Sequence, residues 1–182
     1  MIDIGKDGWL EGVNKVPSPN YNDRLESDVV SLLVIHNISL PPRQYGGGYV
    51  HKFFQNKLPV AEHPYFATIK ELEVSAHFLI ERCGTVTQFV PVDKRAWHAG
   101  ISQFDGREGC NDFSIGIELE GCDEDEFTSS QYLSLSELTD VLRRIYPTIT
   151  QQRIAGHSDI APGRKTDPGP CFDWERYISS LD

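Results

Sequence analysis

The segment His157-Ser158-Asp159-Ile160-Ala161-Pro162-Gly163-Arg164-Lys165-Thr166-Asp167-Pro168-Gly169-Pro170 carries an imidazole and a carboxylate ten residues apart, in a stretch whose proline and glycine content opposes a helix. A second imidazole, His36, ends the apolar run Leu32-Leu33-Val34-Ile35. Two imidazoles and a carboxylate are three ligands, and a zinc ion held by three protein ligands keeps one position open for water. The chemistry such a set would serve is metal-assisted hydrolysis. Asp167 precedes a proline, which favours extended backbone, and Pro168-Gly169-Pro170 stiffens the chain beyond it. That setting suits a fixed carboxylate ligand as readily as an Asp that caps a turn.

Six histidines compete for the imidazole roles: 36, 51, 63, 77, 98 and 157. His51 and His63 lie in or near helical segments with aromatic neighbours and read as surface or packing residues. His77 sits inside an apolar run as a ligand, a group behind a ligand, or a satisfied core histidine. His98, in Trp97-His98-Ala99-Gly100, is followed by residues small enough for a ligand to approach. Spacing alone leaves open which three residues bind a metal. Glu118 is the leading general base, because partial desolvation on a strand face of small residues raises a carboxyl pKa toward the useful range. Glu120 shares that face and competes with it; either also reads as an ion-pair partner on a sheet surface. Lys165 supplies a cation for a developing oxyanion, or is a solvated loop lysine. A rival reading makes Cys110 a nucleophile, but its neighbours in Gly109-Cys110-Asn111-Asp112 supply an acid rather than a thiolate-favouring setting, so it ranks low.

These groups need elements to position them. Residues 31–36 read as a buried strand. Residues 74–80 and 85–90 read as two strands joined by the turn Glu81-Arg82-Cys83-Gly84. Residues 113–120 alternate: Phe113, Ile115, Ile117 and Leu119 face the core, while Ser114, Gly116, Glu118 and Glu120 make what reads as a pocket floor. Residues 128–146 predict a helix with a Thr128/Gln131 capping box and an apolar stripe of Tyr132, Leu135, Leu138, Leu142 and Ile145. A shorter helix starts at Asp173 as N-cap and buries Trp174, Tyr177 and Ile178; residues 63–72 predict a third. Residues 37–62 read as a long irregular segment containing Leu40-Pro41-Pro42-Arg43-Gln44-Tyr45-Gly46-Gly47-Gly48, either a lid or an ordinary connection. The sum is a mixed α/β (α+β) fold, with residues 1–182 as a single domain built on a central mixed β-sheet with helices packed against it.

The bulk properties are those of a soluble globular protein of one domain. The chain has 182 residues, 39% of them hydrophobic and 24% charged, with a formal net charge of −10. That charge argues against nucleic acid as a partner. No stretch approaches the roughly 20 apolar residues of a membrane span. Residues 1–8 hold no apolar run of signal-peptide length, so the expected location is cytoplasmic. The four cysteines (83, 110, 122, 171) form no C-x-x-C pair and are expected to be free thiols.

Several blocks in order resemble one family: Leu33-Val34-Ile35-His36-Asn37-Ile38-Ser39-Leu40-Pro41-Pro42, Val74-Ser75-Ala76-His77-Phe78, Arg95-Ala96-Trp97-His98-Ala99-Gly100, Cys110-Asn111-Asp112-Phe113-Ser114-Ile115-Gly116-Ile117-Glu118-Leu119-Glu120-Gly121, and the segment from Gly156 to Pro170. Together they span nearly the whole chain. They resemble the zinc-dependent N-acetylmuramoyl-L-alanine amidases, the superfamily that includes T7-type phage lysozyme and the peptidoglycan recognition proteins, and within it the AmpD-like branch. The resemblance implies an amidase/peptidoglycan-recognition-protein-like fold and one Zn2+ per chain held by His36, His157 and Asp167. It implies Glu118 as general base and Lys165 as oxyanion stabiliser, and it places His77 and His98 around the pocket or behind the ligands. Asn37, Trp97, His98, Ala99 and Arg107 are the implied or nearby substrate contacts. The implied reaction is hydrolysis of the amide between the lactyl group of 1,6-anhydro-N-acetylmuramic acid and L-Ala in small cytoplasmic muropeptides, for peptidoglycan recycling. In some hosts the muropeptide level also sets β-lactamase induction. No obligate protein partner is implied. The alternatives are a muropeptide sensor without catalysis and a lytic amidase acting on intact wall. The chain departs from the family at Glu73 and Gly109, where some members are basic; Arg95, Arg107 and Arg164 are the other cations near the motifs.

Overall fold

Runs such as Leu32–Ile35 and Phe78–Ile80, apolar on both faces, specify strands covered on both sides, and the computed structural model, which describes residues 3–5 and 7–181, builds its centre from them together with the alternating run 114–120. In chain order the main sheet contains β1 (Asn14–Lys15), β2 (Leu32–Ile38), β3 (Phe78–Ile80), β4 (Val86–Gln88), β5 (Ser114–Glu120) and β6 (Ile154–Gly156). Their spatial order is β6-β2-β5-β3-β4-β1. β6, β2, β5 and β3 run parallel, β3 and β4 pair antiparallel, and β4 and β1 pair parallel. The sheet is therefore mixed, as expected. Short two-stranded ribbons flank it. Of the N-terminal segment, Met1, Ile2 and Lys6 lie outside the described residues.

The helices are α1 (Tyr49–Phe54), α2 (Pro64–Ile69), α3 (Ser129–Ile145), α4 (His157–Ile160) and α5 (Trp174–Ser179). α3 begins where its sequence signals it: the Thr128 hydroxyl accepts from the Gln131 amide at 3.1 Å, and the Gln131 side chain accepts from Thr128 N–H at 3.0 Å. Its stripe packs Tyr132, Leu135, Leu138 and Leu142 against Leu33, Ile35, Ile115, Ile117 and Leu119 of the sheet, and α5 adds the fully buried Tyr177. Asp173 caps α5 by accepting from the Arg176 amide at 2.9 Å. The opposite sheet face is covered by two further clusters, one around Leu32, Val34, Phe113 and Ile160 and one around Phe53, Phe54, Phe66 and Phe89. None of the helices among the described residues is long and apolar enough to cross a membrane.

Four expectations need correction. Residues 37–62 are not irregular throughout: β2 runs on to Ile38, α1 follows Gly48, and Val60–Glu62 forms a 3-10 turn. The helical spacing of Val50, Phe53 and Phe54, all buried, drives α1; Gly48 and the proline beyond it conceal so short a period. The segment from His157 does begin with a helical turn, α4, since its prolines and glycines act only from Pro162 onward. Of residues 74–80 only the last three are strand, because Ser75 turns aside to bond Trp97 O through its N–H at 3.1 Å and Asn20 O through its hydroxyl at 2.6 Å. Phe113 does not share a face with Ile115; it follows the 3-10 turn Cys110–Asp112, which breaks the alternation and sends the ring to the Leu32 side.

Candidate metal centre

Parallel strands end their chains at one edge of a sheet, and ligand sites form outside that edge. Here β6, β2 and β5 are adjacent and parallel, and in the β2–β5 register Glu118 stands opposite His36. Both side chains therefore leave the sheet on the same face. His157 is the first residue after β6, one strand to the other side. The third donor, Asp167, arrives on the loop after α4, where its carbonyl accepts from Ser158 N–H at 2.9 Å.

The three groups converge on one point. His36 Nδ1, His157 Nδ1 and Asp167 Oδ2 are each 3.0 Å from the other two. For bonds of about 2.0–2.1 Å a tetrahedral zinc site has donor–donor edges of roughly 3.3 Å, so a triangle of two imidazole nitrogens and a carboxylate oxygen fits zinc with only a small outward adjustment. The two histidines are 1% and 3% exposed, so no water competes from behind. Burial lowers the His36 pKa to about 4, keeping the ring neutral. Burial alone would raise the Asp167 carboxyl, but its hydrogen bonds with His157 and His36 outweigh it and hold the group below the usual carboxylate range. A neutral imidazole and an ionised carboxylate are the forms that ligate a metal.

Glu118 is buried, and its Oε2 has no hydrogen-bond partner among the described residues. Burial first, and the Asp167 charge second, push its pKa well above the ordinary carboxyl value, while Lys165 opposes the rise. Glu118, Lys165, Asp167, His157 and His98 line one cleft of about 380 Å³, together with Asn37 and Trp97. Leu40, Phe53, Phe54, Tyr65, Ile69 and Leu72 give the same cleft an apolar wall. Glu120, the competing base, is engaged elsewhere: its two oxygens accept from Gly46 N–H at 2.6 Å and Arg82 N–H at 3.1 Å. It ties the glycine-rich segment to the sheet.

The remaining expected site residues divide. His98 touches His36, with Nδ1 2.9 Å from Nε2. His77 is a satisfied core residue that accepts from Gly116 N–H at its Nδ1 and reaches Lys94 O with its Nε2, both at 3.0 Å. Trp97 donates its indole N–H to Asn22 at 2.7 Å and keeps its ring in the cleft. Asn37 donates to Asp123 at 2.7 Å and to Pro168 O at 3.1 Å, so its amide nitrogen steadies the Asp167 loop. Ala99 is fully buried and does not line the cleft. Arg107 is not in the cleft either: it pairs with Asp28 at 2.6 Å and lies over the Phe113 ring. Arg95 pairs with Asp112. Arg164 lines an adjoining cleft of about 450 Å³ with Glu108 and Gly109. Cys110 is buried and its thiol pKa is raised by that burial, the opposite of what a nucleophile needs. Residue type gave no sign of a role for Asn111, which is buried with its side chain bonded to the 97–100 segment; Ser114, expected only on the pocket floor, lies with its hydroxyl 3.1 Å from His98 Nε2. The signal available was Gly116, a mid-strand glycine that marks close approach of another group.

The sequence profile of the N-acetylmuramoyl-L-alanine amidase family matches residues 26–170. The 1,6-anhydro-N-acetylmuramyl-L-alanine amidase AmpD of Haemophilus influenzae is 59% identical over 98% of this chain and 97% of its own length. AmpD of Escherichia coli is 54% identical over 93% of this chain and 92% of its own. The crystal structure of a selenomethionine AmpD derivative superposes with a TM-score of 0.95, at 51% identity, covering 98% of this chain and 99% of that one. The amidase AmiD of E. coli, solved with anhydro-N-acetylmuramic acid-L-Ala-D-γ-Glu-L-Lys, gives a TM-score of 0.62 at 28% identity, covering 98% of this chain and 65% of that one.

Proposed function

The chain belongs to the N-acetylmuramoyl-L-alanine amidase family, and from that membership we propose that it hydrolyses the amide between the lactyl group of 1,6-anhydro-N-acetylmuramic acid and L-Ala, as one amidase unit over its whole length. The observation that carries the reading is the triangle of His36, His157 and Asp167 donors beside a cleft that also holds the buried Glu118 carboxylate, whose Oε2 has no hydrogen-bond partner among the described residues. A sensor that only binds muropeptides has no use for a proton acceptor held at such a cost.

His36, His157 and Asp167 would hold one Zn2+. When bound, zinc supplies Lewis acidity, lowering the pKa of water to about 7 and polarising an amide carbonyl. The chain's own groups do the rest. The Glu118 carboxylate, with its raised pKa, accepts a proton from the attacking water and later delivers it to the departing amine of L-Ala. The Lys165 ammonium faces the negative charge that develops on the amide oxygen. Asn37 Oδ1 remains available to accept from the substrate, because the nitrogen of that amide is already committed. The apolar wall from Leu40 to Leu72 excludes water and receives the less polar face of the ligand. Small muropeptides in the cytoplasm are the substrate pool we assign, with recycling of wall fragments as the purpose.

The test incubates the zinc-loaded protein with an anhydro-muropeptide and follows products by mass spectrometry. Free peptide and anhydro-N-acetylmuramic acid are expected. Tight binding without cleavage would replace the enzyme with a sensor, and faster release from intact sacculi than from soluble fragments would make it a lytic amidase.

A further inference from the structure

Both imidazole donors present Nδ1, not Nε2, to the metal position. Each ring must therefore carry its proton on Nε2, and that proton needs an acceptor inside the protein. His157 Nε2 lies 3.1 Å from Ala99 O, and His36 Nε2 lies 2.9 Å from His98 Nδ1. The two acceptors are consecutive residues. Their own backbone N–H groups both donate to a single atom, Asn111 Oδ1, at 3.0 Å from His98 and 2.8 Å from Ala99.

We infer that Trp97-His98-Ala99-Gly100, pinned by Asn111, is a clamp that presets both histidine ligands in the Nε2–H tautomer. For His98 to accept at Nδ1 it must carry its own proton on Nε2, and that nitrogen lies 3.1 Å from the Ser114 hydroxyl, which accepts. The direction of the chain is thus His36 to His98 to Ser114. The ring lies directly on β5: a Cβ added at Gly116 would stand 2.5 Å from His98 Cγ. The His77 ring supports it from the other side, in an edge contact with 5.8 Å between centroids. His98 and Asn111 are positioning residues, acting on the metal through His36 and His157, and the glycine in the middle of β5 is the seat that lets one of them do so.

The inference rests on the metal site of the proposed function, and the experiment separates the two. Zinc affinity is measured by competition with a chromophoric chelator for the wild type, His98→Leu and His98→Asn. Leucine fills the space without an acceptor; asparagine restores an acceptor oxygen near the Nδ1 position. Removing such a supporting group weakens metal affinity about 10–100-fold. We expect that loss in His98→Leu and recovery to within a few-fold of wild type in His98→Asn. The same contrast is expected between Asn111→Leu and Asn111→Asp, which decides the matter if His98→Leu does not fold. In the zinc-loaded wild type, nitrogen-15 NMR should show slowly exchanging Nε2–H protons on both His36 and His157. Wild-type affinity in His98→Leu, or equal weakening in leucine and asparagine variants, overturns the clamp. A wild type that binds no zinc overturns the metal site itself.

Discussion

Glu118→Gln tests whether a buried carboxylate is kept for chemistry at the expense of stability. The residue is 8% exposed and its Oε2 has no partner among the described residues, with the Asp167 carboxylate as a repelling neighbour. An unsatisfied buried polar group costs about 1–3 kcal/mol, and more when it is charged. Gln keeps the shape and the missing hydrogen bond but removes the charge, so the gain in stability should be at least about 1 kcal/mol. For a chain of this size that raises Tm by roughly 2–4 °C per kcal/mol. The same change removes the proton acceptor, worth about 10²–10⁴ in kcat, or roughly 3–5 kcal/mol of barrier. The pH dependence has a definite sign. Glu118 has a folded pKa above its unfolded value of about 4.3. Its charge therefore begins to cost stability as pH rises past that unfolded value, and the cost is complete above the folded one. Thermal melts of the metal-free proteins should show the variant ahead near pH 8 and level with wild type near pH 4. Equal melting temperatures near pH 8, or an advantage that grows on acidification, would refute the account of burial; an unimpaired kcat would reassign the base.

Other perturbations separate the remaining roles. Saturating zinc at a thousand times its Kd should add about 4 kcal/mol of stability to the wild type, and His36→Ala should abolish that increment together with activity; stoichiometric zinc retained by the variant would move the ligand role to another histidine. Lys165→Met should keep zinc and lose about 10²–10³ in kcat, read by single-turnover hydrolysis, whereas a change confined to KM would make the lysine a binding group. Glu120→Ala strips the acceptor from Gly46 and Arg82 N–H and should cost about 1–3 kcal/mol in urea titration while leaving zinc content intact. A loss of turnover as deep as that of Glu118→Gln would instead put Glu120 in the chemistry.

What the sequence made legible was local. The alternation around Glu118 marked a strand with polar groups on one face, and the Thr128/Gln131 box marked the start of α3. His36 stood out because it ends an apolar run. The choice between Glu118 and Glu120, or among His36, His77 and His98, was not legible from spacing, because it depends on register between strands about eighty residues apart; family resemblance, not periodicity, selected among them. Once Glu118 stands opposite His36, Glu120 is carried two residues further, to the rim. α1 escaped notice because its single turn and a half sits between a run of glycines and a proline. The role of Asn111 was invisible for another reason: its side chain serves backbone groups, and backbone groups leave no trace in residue type.

His36 and Glu118 lie on adjacent parallel strands and His157 directly follows a third, whereas Asp167 and Lys165 ride a loop held through Asn37 and Asp123. The halves of the centre should therefore open as different cooperative units of the native state. Amide protons of β2 and β5 should exchange with deuterium only through global unfolding, while those around Thr166 and Asp167 exchange through local opening. Rising denaturant would then release the metal before the sheet yields, leaving a folded, closely packed sheet with two histidines waiting for a third donor.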